Sequence, residues 1–153
     1  MPNPESLSCF ATATRKASRR LTQLYDDMLE PCGLRSTQVA ILVELDVMSA
    51  NPPTVAELAA ALVTDRSSLG HSLRPLERDG LIALLEGTQD RRRRNVVLTV
   101  QGKARLREAL PLWKKAQDHF IAIVGEQQGE RLRATLLDIA GDERLSKIVG
   151  MPE

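Results

Sequence analysis

The sequence predicts a mainly α-helical fold with a small β-hairpin wing, a winged helix-turn-helix plus a helical dimerisation domain. Three observations predict it. Two short helical segments joined by three or four residues lie between Thr54 and Gly80. Two short runs rich in Leu, Ile and Val follow, separated by a polar, basic turn. Long amphipathic stripes stand at both ends of the chain. The expected division is a winged helix-turn-helix over residues 34–99 and a helical dimerisation region over residues 5–33 and 100–148.

The elements follow in chain order. Phe10, Thr14, Ala17, Leu21, Leu24 and Met28 recur at alternating steps of four and three, one face of a long first helix. That helix should stop before Pro31, which pushes its predecessor out of the helical region, and Gly33 then supplies a turn. In "GLRSTQVAILVELDVM" either Ser36 or Thr37 is expected to cap a helix that buries Val39, Leu42 and Leu45, with Ile41 and Met48 flanking. "SANPPT" ends it. Thr54 and Glu57 have capping-box spacing at the head of a short helix reaching about Leu62. After "VTD", Leu69, Leu73 and Leu76 mark the buried side of a second short helix. Ser67, Ser68, His71, Arg74 and Arg78 are left largely on the other side, and Gly80 closes the helix. "LIALLE" and "RNVVLT" read as the two strands of a hairpin. Thr99 is expected to cap a long helix whose stripe is Leu106, Leu110, Trp113, Ala116, Phe120 and Ile123, with Pro111 a kink or register break. A last helix carries Leu132, Leu136 and Ile139 and ends near Gly141.

Composition limits what this fold can be for. At 153 residues and 42% hydrophobic content the chain suits one compact domain, or one domain with a helical arm. Lys plus Arg is 21 against 20 for Asp plus Glu, so any basic site must be local. No apolar run approaches a membrane span and "MPNPESLSCF" lacks the features of a secretion signal, so a cytoplasmic location and no membrane association are expected. Cys9 and Cys32 form neither a CxxC nor a cluster, which fits a reducing compartment. His71 and His119 have no second ligand at metal spacing, so no metal and no cofactor are expected.

The local basic site is "DRRRRNVVLT", where Arg91, Arg92, Arg93 and Arg94 stand together at the start of the second strand. A hairpin tip is narrow enough to enter a DNA minor groove, where guanidinium groups meet concentrated negative potential, while an adjacent helix reads base edges in the major groove. Ser67 and Ser68 suit phosphates or bases near a helix N-terminus, and His71 and Arg74 suit base edges or backbone oxygens. A solvated basic loop is the plainer alternative, and the neighbouring helix-turn-helix tips the reading to DNA.

Two stretches carry a resemblance. "ERDGLI", from Glu77 to Ile82, and "DRRRRNVVLT", from Asp90 to Thr99, resemble the MarR family of transcriptional regulators, whose wing pattern is Asp-Arg-Arg, three variable residues, then Val-x-Leu-Thr. With the flanking helices, the similarity covers nearly the whole chain. The resemblance implies an obligate homodimer that binds pseudo-palindromic double-stranded DNA operators, usually as a repressor released by a small aromatic effector or by cysteine oxidation. It implies that Asp90 braces the wing, that Arg92 enters the minor groove, and that Arg91, Arg93 and Arg94 contact phosphates. Gly70 and His71 stand where relatives often carry larger polar or basic side chains, so the operator sequence is left open.

The residues support a dimer independently. The terminal helices carry more apolar stripe than one small winged domain covers, and a two-fold dimer would let them bury each other. Folding back on their own chain is the alternative. Cys9 precedes Phe10 at the head of the first helix, with Arg15 and Lys16 a turn or two on, and is the candidate redox sensor. In the hydroperoxide-sensing branch of the family a reactive cysteine lies at this place, polarised by tyrosines, whereas this chain has only Tyr25. A packed or frayed cysteine is the alternative there. Arg15, Lys16, Arg19 and Arg20 form a basic band read as a solvated or ion-paired face. A rival function is a winged-helix protein-interaction module without operator binding. An enzyme is not expected, because no Cys-His-acid order, Gly-rich phosphate loop or paired-carboxylate site occurs at credible spacing.

Overall fold

The computed structural model describes residues 9–87 and 93–146. It falls into two units, one ending at Ala116 and the other starting at Gln117. The first helix, α1, spans Phe10–Leu29 and gives way at Pro31 to a 3-10 turn over Glu30–Cys32. Gly33 follows with φ of 71°, a left-handed conformation that glycine adopts without a Cβ clash. The first-helix boundary is therefore where the proline and glycine put it.

The second helix, α2, spans Ser36–Val47, and its start corrects the expected cap. Neither Ser36 nor Thr37 is the N-cap; Arg35 is, and its side chain has no acceptor to offer. The work is done from α1 instead. The Ser36 N–H donates to Asp26 Oδ1 at 2.7 Å, and the Arg35 guanidinium donates to Asp26 Oδ2 at 3.3 Å. Gln38 Oε1 accepts the Arg35 N–H at 2.9 Å. A carboxylate ten positions upstream is invisible to a local capping rule. Val39, Leu42 and Leu45 are buried as expected, and Ile41 joins them.

Next come α3, Val55–Ala61, and α4, Arg66–Arg78. The capping box at Thr54 forms: the Glu57 N–H donates to Thr54 Oγ1 at 3.2 Å and the Thr54 N–H to Glu57 Oε2 at 2.7 Å. Leu69, Leu73 and Leu76 turn inward. Both helices end in the same motif. After α4 the Gly80 N–H donates to the Glu77 carbonyl and the Leu81 N–H to the Leu76 carbonyl, with Gly80 at φ 72°. After α3 the Val63 N–H donates to the Ala60 carbonyl and the Thr64 N–H to the Ala59 carbonyl. Here the left-handed residue is Val63, at φ 51°, a β-branched side chain in a region that disfavours it.

Strands β1, Ile82–Glu86, and β2, Arg94–Leu98, pair antiparallel from Ile82 opposite Leu98 to Glu86 opposite Arg94. Thr99 then caps the next helix, accepting the Gly102 N–H at 2.9 Å while its hydroxyl donates to the Gly80 carbonyl at 2.7 Å. That helix, α5, spans Val100–Val124 without interruption through Pro111, so the expected register break does not occur. A proline inside a helix removes one backbone bond, and the exposed position lets water take the freed carbonyl. At Gly102 a Cβ would overlap the Leu81 carbonyl, so only glycine lets α5 lie this close to the hairpin.

One core unites these elements. Leu29 of α1, Leu42 and Leu45 of α2, Leu58 of α3, Leu69 and Leu76 of α4, Ile82 and Val96 of the hairpin, and Leu106 and Ala109 of α5 belong to one buried cluster. Tyr25 and Trp113 approach each other with ring centroids 6.0 Å apart. Among the described residues no polar or charged side chain is buried. In the second unit α6 spans Glu126–Gly141 after Gly125, and only Gly129 along it is buried. Leu132, Leu136, Leu137 and Ile139 are 40 to 63% exposed.

Candidate nucleic-acid interface

The outer side of α4 is polar because its leucines fall on the other side. Ser67, Ser68, His71 and Arg74 are all exposed along it, as is Arg78. The helix is started by Asp65, whose carboxylate accepts the Ser68 N–H at 2.8 Å and the Ser68 hydroxyl at 2.6 Å. Those two bonds, the hydroxyl's first, hold the Asp65 carboxyl below the usual carboxylate range. The consequence for Ser68 is chemical. Its proton is committed to Asp65, so it presents acceptor lone pairs outward, whereas Ser67 keeps a hydroxyl donor.

Beside α4 stands the hairpin. Asp90, Arg91 and Arg92 lie outside the described residues, and Arg93 and Arg94 are described and exposed. The root of the wing is fastened to the segment before α3. The Val96 N–H donates to the Pro53 carbonyl at 2.8 Å, Asn95 Nδ2 donates to the Pro52 carbonyl at 2.9 Å, and Thr54 and Asn95 form an isolated bridge. Arg93 and Arg94 are thereby brought to one cleft with Arg66, the first residue of α4. Glu57, on the same cleft, is held below the usual carboxylate range, first by the Thr54 N–H, then by its hydroxyl, with Arg93 adding attraction.

Sequence reasoning passed over three of these residues. Arg66 stood beside Ser67 in the recognised helical stretch, directly after a capping Asp, which was the available signal. Asn95 occupies a variable place in the wing pattern, and nothing local shows that its amide reaches a carbonyl forty-three positions earlier. Asp65 reads in the sequence as the last residue of the turn "VTD".

None of the other singled-out groups lines this cleft. Cys9 is exposed at the N-cap of α1, and its thiol is held below the usual range, first by the Thr12 N–H and then by that of Ala11. Tyr25 lies sixteen residues along the same helix, about 24 Å at the usual rise, too far to polarise the Cys9 sulfur of its own chain. Cys32 is buried and donates its thiol proton to the Leu29 carbonyl at 3.0 Å. Arg15, Lys16, Arg19 and Arg20 are exposed on α1. Among the described residues no three His, Cys, Asp or Glu side chains converge on a metal position, and no helix is long and apolar enough to cross a membrane.

No protein-family model matches the chain. Solved structures do. The Mycobacterium tuberculosis transcriptional regulator MosR, in its complex with DNA, is 33% identical and superposes with a TM-score of 0.81 over 92% of this chain and 100% of that one. This chain belongs to the MarR family of transcriptional regulators. The transcriptional repressor CouR, bound to a 23-mer DNA duplex, is 27% identical to this MarR-family chain, with a TM-score of 0.78 over 92% of it and 98% of CouR. The HTH-type transcriptional repressor YetL of Bacillus subtilis is 28% identical over 133 residues, 84% of this chain and 76% of YetL. Within the MarR frame the elements fall into place: α3 and α4 are the helix-turn-helix, and β1 and β2 the wing.

Proposed function

We propose that the protein is a homodimeric, sequence-specific DNA-binding regulator of transcription that acts as a repressor in the cytoplasm. The observation that carries this is an exposed polar helix and a basic wing set side by side on a fold shared over 92% of the chain with a DNA-bound regulator. In this reading α4 lies in the major groove. His71 and Arg74 meet base edges or backbone oxygens, Ser67 donates to a phosphate, and Ser68 accepts from a base amino group. Asp90 braces the wing, Arg92 enters the minor groove, and Arg91, Arg93 and Arg94 contact phosphates.

The dimer is proposed on the uncovered apolar residues of α5 and α6, with residues 5–33 and 100–148 as the dimerisation region and 34–99 as the reading domain. Two copies related by a two-fold axis would address half-sites of a pseudo-palindromic operator about 34 Å apart. Release is assigned either to a small aromatic effector or to oxidation of Cys9, whose exposed thiol is biased toward thiolate by the α1 N-terminus.

The test is a titration of the protein against DNA from upstream of its own gene, at two salt concentrations, with unrelated DNA as competitor. Salt-sensitive binding that survives the competitor is expected, and no preference over the competitor overturns the reading. Arg92→Ala should weaken that binding by about 1 to 3 kcal/mol with the dimer intact. Peroxide treatment should weaken wild-type binding and leave Cys9→Ser unaffected; equal affinity before and after treatment removes the thiol trigger.

A further inference from the structure

The cleft between the start of α3, the start of α4 and the root of β2 has a volume of about 580 Å³ and is lined by Thr54, Val55, Glu57, Arg66, Arg93 and Arg94 among others. Three arginines line it, Arg66 from the start of α4 and Arg93 and Arg94 from the root of β2, which the Asn95 and Val96 bonds tie to the α3 entry. Its one carboxylate, Glu57, attracts Arg93 but leaves the lining with more positive than negative side chains. Glu57 Oε2 accepts both the Thr54 N–H at 2.7 Å and the Thr54 hydroxyl at 2.9 Å, and among the described residues no carboxylate lies at ion-pair distance from Arg66, Arg93 or Arg94. Arg66 also sits at the first position of α4, where the helix dipole disfavours a cation. Helix α4 itself gains nothing from a positive charge there. A ligand does.

We infer that Arg66, Arg93 and Arg94 form one seat for a phosphate group at the base of the wing, filled by a backbone phosphodiester when DNA is bound, with Arg66 the positioning residue. The inference rests on the DNA-binding reading above. A fork of planar guanidinium donors matches the oxygens of a phosphate, and the bonds of Asn95 and Val96 to the α3 entry fix the root from which Arg93 and Arg94 reach it. Because every nucleotide carries the same phosphate, the seat fixes register and reads no sequence.

The experiment compares wild type, Arg66→Gln and Arg66→Lys on promoter DNA and on unrelated DNA across a salt series. Arg66→Gln is expected to lower both affinities by the same factor, about 5- to 10-fold, and to reduce the log-log salt slope by about 1. Arg66→Lys should restore the slope and part of the affinity, and the thermal midpoint should be unchanged in both variants. Full affinity with an unchanged slope in Arg66→Gln overturns the seat while leaving the DNA reading intact, and a loss confined to promoter DNA overturns the phosphate assignment in favour of base reading. Wild type binding neither DNA overturns the DNA reading itself and the diester with it. Inorganic phosphate titrated at constant ionic strength into the free protein and into its DNA complex, followed through arginine side-chain NMR signals, separates the sources: DNA is expected to displace free phosphate, and phosphate that stays bound at these arginines in the DNA complex overturns the diester.

Discussion

Val63 shows what a single backbone position costs. The turn of the helix-turn-helix needs a left-handed residue to let Val63 and Thr64 donate back into α3, and this chain meets the need with a β-branched side chain at φ 51°. The corresponding position after α4 is Gly80, where the same conformation is unstrained. Val63 is 68% exposed, so little packing is at stake when it is replaced. Val63→Asn should therefore raise stability by about 1 kcal/mol, since asparagine tolerates the left-handed region far better than valine. Urea unfolding would check it, and a destabilised variant would mean that the valine side chain makes contacts its exposure does not suggest. The turn itself is readable in "VTD", but where a glycine would announce its left-handed residue, a valine conceals it.

Helix α2 is the element whose start depends on something outside itself. Burial alone would raise the Asp26 pKa, but bonds from the Ser36 N–H and hydroxyl and from Arg35 outweigh it, and the carboxyl is held below the usual range. A group whose pKa is depressed on folding stabilises the fold above its unfolded value, about 3.9 for Asp, and loses that contribution as pH falls through the folded value. Asp26→Asn should then cost about 1 to 2 kcal/mol at pH 7, the worth of a charge-assisted cap. The gap to wild type should begin to narrow as pH falls below about 4, where the unfolded carboxyl protonates, and close only once the folded carboxyl is protonated as well. Denaturant titrations at pH 7 and pH 3 decide it, and a gap that stays constant with pH would show that the charge is not what caps α2.

At the scale of the whole molecule the chain leaves apolar surface that its described residues do not cover. Leu110, Trp113 and Ile123 of α5 are 43, 39 and 71% exposed, and the leucines of α6 are similarly open. A helix with so little buried draws scant stability from its own chain, since packing of an apolar face supplies most of what holds a protein helix. The proposed second copy would provide that packing. Sedimentation equilibrium should give a mass twice the 16.9 kDa chain, and Leu136→Glu should shift it toward the monomer and weaken operator binding together. A wild-type monomer at micromolar concentration would overturn the dimer.

Much of this architecture was legible locally. Periodicity marks α1, α2, α4 and α5; Pro31, Gly33 and Gly80 mark boundaries; and the Thr54 and Glu57 box that heads α3 and the Thr99 cap form as their spacing requires, because each depends on residues within one turn of helix. The wing arginines and the outward side of α4 were likewise readable as residue types in a pattern. Tertiary structure alone decided what depends on distant partners: Asp26 in place of Ser36 or Thr37 as the cap of α2, and Asn95 tying the wing to Pro52. It also gathered Arg66, Arg93 and Arg94 on one cleft. The physical reason is range: helix periods and caps are set by neighbours in sequence, while a hydrogen bond or a shared cleft between distant segments exists only once the core has brought them together.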